Sequence, residues 1–243
     1  MTTRIAKSSP LVYARITGLL LLIIVFLGPF SLIYVPSTLV VPGDAPATAD
    51  NIRASESLFR IAIISDSAIF LIEIVVTVLL YVLLRPVSRT LSLVAAFARL
   101  SMAVIQGINV LPSFIVLLLL SGAGYLRAFE PDQLDALVLL FLNAREYGVY
   151  IWQAFFGLHL VVLGYLIYKS GYFPRILGVL VVLGSVGYLI DSFGNILFPN
   201  YGEIFGVVVA VTAVIGELPF FLWLLIKGVN VQQWHNRAAA AAT

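Results

Sequence analysis

The chain has 243 residues, of which 61% are hydrophobic and 11% charged, against about 25% charged in soluble domains. That balance excludes an ordinary soluble domain, and a formal charge of +2 with no basic stripe excludes a nucleic-acid surface. There is no cysteine, so disulfides, thiol catalysis and cysteine-ligated metals are excluded too.

Apolar runs of about 20 residues, the length a ~30 Å hydrocarbon core asks of a helix, recur along the chain. In chain order the predicted spans are 12–35, 59–84, 90–120, 147–168, 174–198 and 204–227. These runs are continuous and not alternating, which argues against a β-barrel. The predicted fold class is therefore all-α: a polytopic bundle of six transmembrane helices in a single transmembrane domain, with the lipid bilayer as its partner. The first run follows basic residues Arg4, Lys7 and Arg15, as a signal peptide would. It is too long for a signal h-region, so it reads as a retained first helix.

Between the first two spans, Val-Pro-Gly-Asp at 41–44 is a turn sequence. Thr48 is placed to cap a helix that begins near Ala49 and runs into the second span. Pro112 predicts a kink in the third span. Pro131 suits a first helical position, and Leu134, Leu137, Val138, Phe141 and Leu142 then share one face opposite Asp132, Gln133 and Asp135. Two placements are open for that stretch: a short amphipathic interfacial helix, or an outward extension of the fourth span. Gly178, Gly184, Gly187 and Gly194 are expected to let neighbours approach the fifth span closely. The openings Arg15-Ile-Thr-Gly18 and Arg175-Ile-Leu-Gly178, each with a glutamate in the next span, suggest duplicated hairpins.

Charge sorts by side. One side carries Arg4, Lys7, Arg15, Arg85, Arg89, Lys169, Arg175, Lys227 and Arg237 and no acidic residue. The other carries Asp44, Asp50, Glu56, Glu130, Asp132, Asp135, Glu146 and Glu203 against Arg53, Arg60, Arg127 and Arg145. The positive-inside rule puts the basic side, with both termini, in the cytoplasm. The expected location is a bacterial cytoplasmic membrane.

Charges inside the spans are costly and mark interiors or cavities. Arg99, His159 and Glu217 each stand ten residues from the basic residue ending their span, or roughly 15 Å deep at about 1.5 Å per residue. Glu73 lies at about 18 Å by the same count. These four form a candidate mid-membrane polar site. Asp66, Gln106, Asn109 and Asp191 form a candidate outer layer, Asp66 sharing a helix face with Glu73 and Gln106 with Arg99. Pro219, two residues after Glu217, frees a backbone carbonyl beside it, a combination suited to a cation or proton. The alternative for the whole layer is a neutral ion-paired knot that only fixes packing.

Neither His-Glu-x-x-His nor Gly-x-Ser-x-Gly nor a phosphate-binding glycine loop occurs, so no metal or cofactor is expected and, for an enzyme, only a carboxylate-based site stays open. The first loop, Val41-Pro-Gly-Asp44 followed by Ala-Thr-Ala-Asp-Asn-Ile52, resembles the bacterial family called domain of unknown function 4386. So do Phe156-Gly-Leu-His-Leu, the stretch from Gly164 to Gly178, Gly187-Tyr-Leu-Ile-Asp191, and Gly216-Glu-Leu-Pro219 with Trp223 to Gly228. The resemblance runs from about Val12 to Val231 and implies a small multi-pass membrane protein with no assigned site residues. Transport of a proton, ion or small solute past the mid-membrane layer is the leading expectation. A non-catalytic scaffold or sensor subunit is the alternative, and an intramembrane enzyme comes last.

Overall fold

A computed structural model describes residues 9–241; Arg4 and Lys7 lie outside them. Helices account for nearly all of the described chain, and no strand occurs among the described residues. Six helices are long and apolar enough to cross a membrane. In chain order these are α1 (Pro10–Leu39), α3 (Glu56–Leu84), α4 (Arg89–Leu119), α5 (Pro131–Ser170), α6 (Arg175–Leu197) and α7 (Gly202–Ile226). Two short helices complete the set, α2 (Ala45–Ala54) and α8 (Val231–Ala240).

Sequential neighbours pack around a closed ring, α1 on α3, α3 on α4, α4 on α5, α5 on α6, α6 on α7, and α7 back on α1. Three seams bring backbones together where glycine removes the side chain. A Cβ on Gly164 would lie 2.6 Å from the Gly178 carbonyl oxygen, between α5 and α6. One on Gly216 would lie 2.7 Å from Gly184 Cα, between α7 and α6. One on Gly18 would lie 2.6 Å from the Leu225 nitrogen, between α1 and α7. The glycines expected to slim the fifth span do so: Gly178, Gly184, Gly187 and Gly194 all face close neighbours.

Two apolar clusters fill the ring. The larger, toward the basic end, joins Leu21, Leu80, Leu84, Met102, Leu160, Leu163, Val181, Phe220 and Leu224 from the six long helices. The smaller, toward the acidic end, joins Val35, Leu39, Ile52, Phe59, Val110, Val116 and Val138 from α1 to α5.

The loop regions revise three expectations. Asp44, not Thr48, caps α2, accepting a hydrogen bond from the Ala47 amide at 3.0 Å. Thr48 instead closes the turn, bonded to both the nitrogen and the oxygen of Val41. The helix also stops at Ser55 and does not run into the second span. The amphipathic stretch after Pro131 is no separate interfacial helix: it is the first four turns or so of the 40-residue α5. A capping box between Glu130 and Gln133 starts α5 there. Its apolar face is then claimed by protein, since Val138 is fully buried in the smaller cluster with Ile52 of α2, and Arg53 holds Asp135 at 2.6 Å.

Two long helices are irregular at matching heights. After Pro29 withdraws an amide, α1 passes through a π-helical turn at Phe30–Tyr34. In α4 the regular helix stops at Ile108 and resumes at Leu111, because Pro112 has no N–H to offer the preceding turn.

At the basic end, the Leu83 carbonyl is among the last four of α3 and has no helical partner. It accepts two hydrogen bonds, from the Tyr172 hydroxyl at 2.8 Å and from Trp234 Nε1 of α8 at 2.9 Å. Burial pushes the Tyr172 phenol upward, which keeps it a donor.

Candidate functional site

The regular i to i+7 repeat of α3 and α4 carries their polar residues down one wedge against α5. At mid-height Arg99 Nε donates to Glu73 Oε2 at 2.5 Å, with the two side chains 2% and 5% exposed. Arg99 Nη1 lies 2.9 Å from His159 Nε2. A guanidinium has no acceptor, so the arginine donates and Nε2 must offer its lone pair. The imidazole proton therefore sits on Nδ1, which donates to the Ala95 carbonyl at 2.8 Å. His159 is thus neutral, in one tautomer. Below the guanidinium lies the Phe156 ring, 5.5 Å from Cζ, and His159 stacks on the same phenyl.

Glu217, the fourth residue expected in this layer, is buried but belongs to a separate bond pattern. Its Oε1 accepts from the Tyr188 hydroxyl of α6 at 2.8 Å. Among the described residues it has no cation within ion-pair distance. Tyr188 in turn meets Phe156 edge to face, with centroids 4.8 Å apart, so the phenyl stands between the triad and the Glu217 pair. Tyr188 was not singled out in the sequence, where a tyrosine in an apolar run carries no signal of its own.

The outer residues divide into two groups. Asp66 of α3 pairs with Arg145 of α5 at 2.5 Å, although charge sorting had left Arg145 with the loops. Asn109, exposed by the break in α4, donates to the Arg145 carbonyl at 2.9 Å. Gly148 makes this possible, because any side chain there would occupy the Asn109 amide. Gln106 completes this group. Asp191 stands apart on α6, accepting from Asn195 at 2.9 Å, while its neighbour Ser192 donates to the Tyr150 carbonyl. The four outer residues therefore form no single layer.

Two small cavities flank the triad. One, of about 30 Å³, is lined by Leu32 of the π-helical turn, Asp66, Ile69, Gln106, Asn109, Val110, Arg145 and Trp152. The other, of about 10 Å³, lies toward the basic end and touches His159, Thr77, Ser92 and Leu166. Each presents one buried polar atom with no protein hydrogen bond, Gln106 Oε1 in the first and Ser92 Oγ in the second. The first has room for about one or two waters and the second for at most one. No group of three or more metal-ligating side chains occurs among the described residues.

The family model described as "Domain of unknown function (DUF4386)" matches residues 16–228. An "Uncharacterized protein" of Archaeoglobus fulgidus is 33% identical over 172 residues, covering 71% of this chain and 86% of the relative. No solved structure matches.

Proposed function

From the premise that the chain belongs to the DUF4386 family, whose description names no reaction, we propose that this multi-pass membrane protein is a gated permeation protein. The route runs down the α3–α4–α5 wedge, and the Glu73–Arg99–His159 triad is its closed gate. One observation carries this reading: a small cavity with an unpaired polar atom lies to the outer side of the buried triad and another to its inner side, the inner one touching His159. A purely structural ion pair needs no polar cavity on either side of it. The irregular turns of α1 and α4, where backbone groups are released from the helical ladder, line the outer cavity and are typical of such routes. The positive-inside rule supports a cytoplasmic basic end, in a bacterial cytoplasmic membrane, with the acidic end outside.

The chain contains no cysteine, so single cysteines report water directly. Gln106→Cys is expected to react with a membrane-impermeant thiol reagent from the acidic side and Ser92→Cys from the basic side. Vesicles holding the wild-type protein are expected to pass protons or small ions faster than empty ones. Protection of both positions in folded protein, with flux equal to that of empty vesicles, would overturn the reading. A scaffold would then take its place, a reading favoured by one fact: each polar group of the triad is already paired inside the protein.

A further inference from the structure

The mid-membrane layer brings three charged side chains together and just one of them is a cation. Arg99 is committed to Glu73 by a 2.5 Å bond and both are almost fully buried. Glu217 is left over. Its hydrogen-bonding partner is a neutral hydroxyl, and the Phe156 ring separates it from the guanidinium side of the layer.

We propose that Glu217 is the exchangeable proton site of this protein: a carboxyl group that holds a proton on Oε2 while Oε1 accepts from Tyr188. The first argument is electrostatic. A carboxylate taken out of water without a counter-charge is far too costly, and neutralisation is the usual outcome. The charged and titratable groups around it do not supply that counter-charge. From α6 it meets Tyr188, a donor without charge. From α3 and α4, Glu73 and Arg99 act on it only through space and with opposite signs, and Arg99 is already bonded to Glu73. From α1 no ionisable side chain exists between Arg15 and Tyr34.

The second argument selects the ion. A metal cation asks for several oxygen ligands at once, and no cluster of three acidic or histidine side chains occurs among the described residues. A proton asks for a single lone pair. Pro219 frees the Ile215 carbonyl, but residues two apart in a helix face opposite sides and Ile215 is exposed where Glu217 is buried, so that carbonyl is not the carboxyl's partner. The α7 backbone reaches α6 at the Gly184–Gly216 seam, one residue from Glu217, which brings the carboxyl within reach of Tyr188.

This assignment goes beyond the permeation reading, since Glu217 lies off the α3–α4–α5 route and behind Phe156, and the two fail separately. Its test is infrared difference spectroscopy of the whole protein in lipid at neutral pH. The carbonyl band of a protonated carboxylic acid is expected in wild type and should fall to background in Glu217→Gln, whose amide still accepts from Tyr188. In Tyr188→Phe the band is expected to persist but move to higher frequency, since its carbonyl oxygen loses a donor; this variant carries the test if Glu217→Gln does not fold. A wild-type spectrum without the band, a band unchanged in both variants, or a band removed by adding sodium at constant pH would overturn the assignment. A band that behaves as expected in protein without flux would leave the proton site standing and remove the permeation reading alone.

Discussion

The bundle contains two arginine–carboxylate pairs of equal length whose surroundings differ. Glu73–Arg99 and Asp66–Arg145 are each 2.5 Å bonds between a carboxylate of α3 and an arginine of another helix, α4 in the first and α5 in the second. The inner side chains are 2% and 5% exposed, whereas the outer ones are 12% and 15% exposed and line a cavity. Arg99 also has His159 and Phe156, so its charge is enclosed by protein. Bond length therefore says little about what a pair does. What can replace the partner decides it: nothing in the inner case, water in the outer.

Removing one partner is the sharpest way to break this contrast. Arg99→Met strands Glu73 and is expected to destabilise the protein by about 3–5 kcal/mol, measured by denaturation in micelles. The double variant Arg99→Met with Glu73→Met should recover most of that, because an apolar pair of similar volume tolerates the same site. A double-variant loss equal to the sum of the losses in the two single variants would mean that the pair is not coupled.

A smaller effect is expected at His159. His159→Ala leaves Arg99 Nη1 without an acceptor, a loss of about 1–3 kcal/mol. His159→Gln, which offers a carbonyl oxygen, should lose less in the same assay. If glutamine and alanine are equally harmful, the lone pair on Nε2 is not what Arg99 requires.

The outer half should respond least. Arg145→Met is expected to cost about 1 kcal/mol or less, since water in the adjacent cavity can solvate Asp66. Arg53→Ala, on a side chain 42% exposed, should cost only about 0.2–1 kcal/mol and lose even that in high salt. An Arg145→Met penalty equal to that of Arg99→Met would erase the distinction between the two halves.

Much of this was readable from the chain alone. Six apolar runs gave six spans, and counting inward from Lys169, Arg89 and Arg85 placed His159, Arg99 and Glu73 at one height. Height is not direction, however. A residue count cannot say which way a helix is turned, so it grouped Glu217 with the triad although Phe156 stands between them. Asp191 was assigned to the outer group for the same reason, and it faces the α5–α6 seam instead. Arg145 was lost because α5 extends much further outward than its apolar run, which put an embedded residue among the loop charges. Pro112 is the legible sign of the helix break at Asn109, through the helical bond it removes.

The glycine seams divide the ring mechanically. Where main chains touch at Gly164–Gly178, Gly184–Gly216 and Gly18–Leu225, no layer of side chains exists in which one helix can roll past the next. These joints weld α5, α6, α7 and α1 into a stator. The α3–α4 hairpin has just one glycine, Gly107, at ordinary contact distance from Phe70 of its own pair. The hairpin, which carries Glu73 and Arg99 together, is instead tied to its surroundings by side chains, at Arg99–His159, at Asp66–Arg145 and where Tyr172 and Trp234 reach the Leu83 carbonyl.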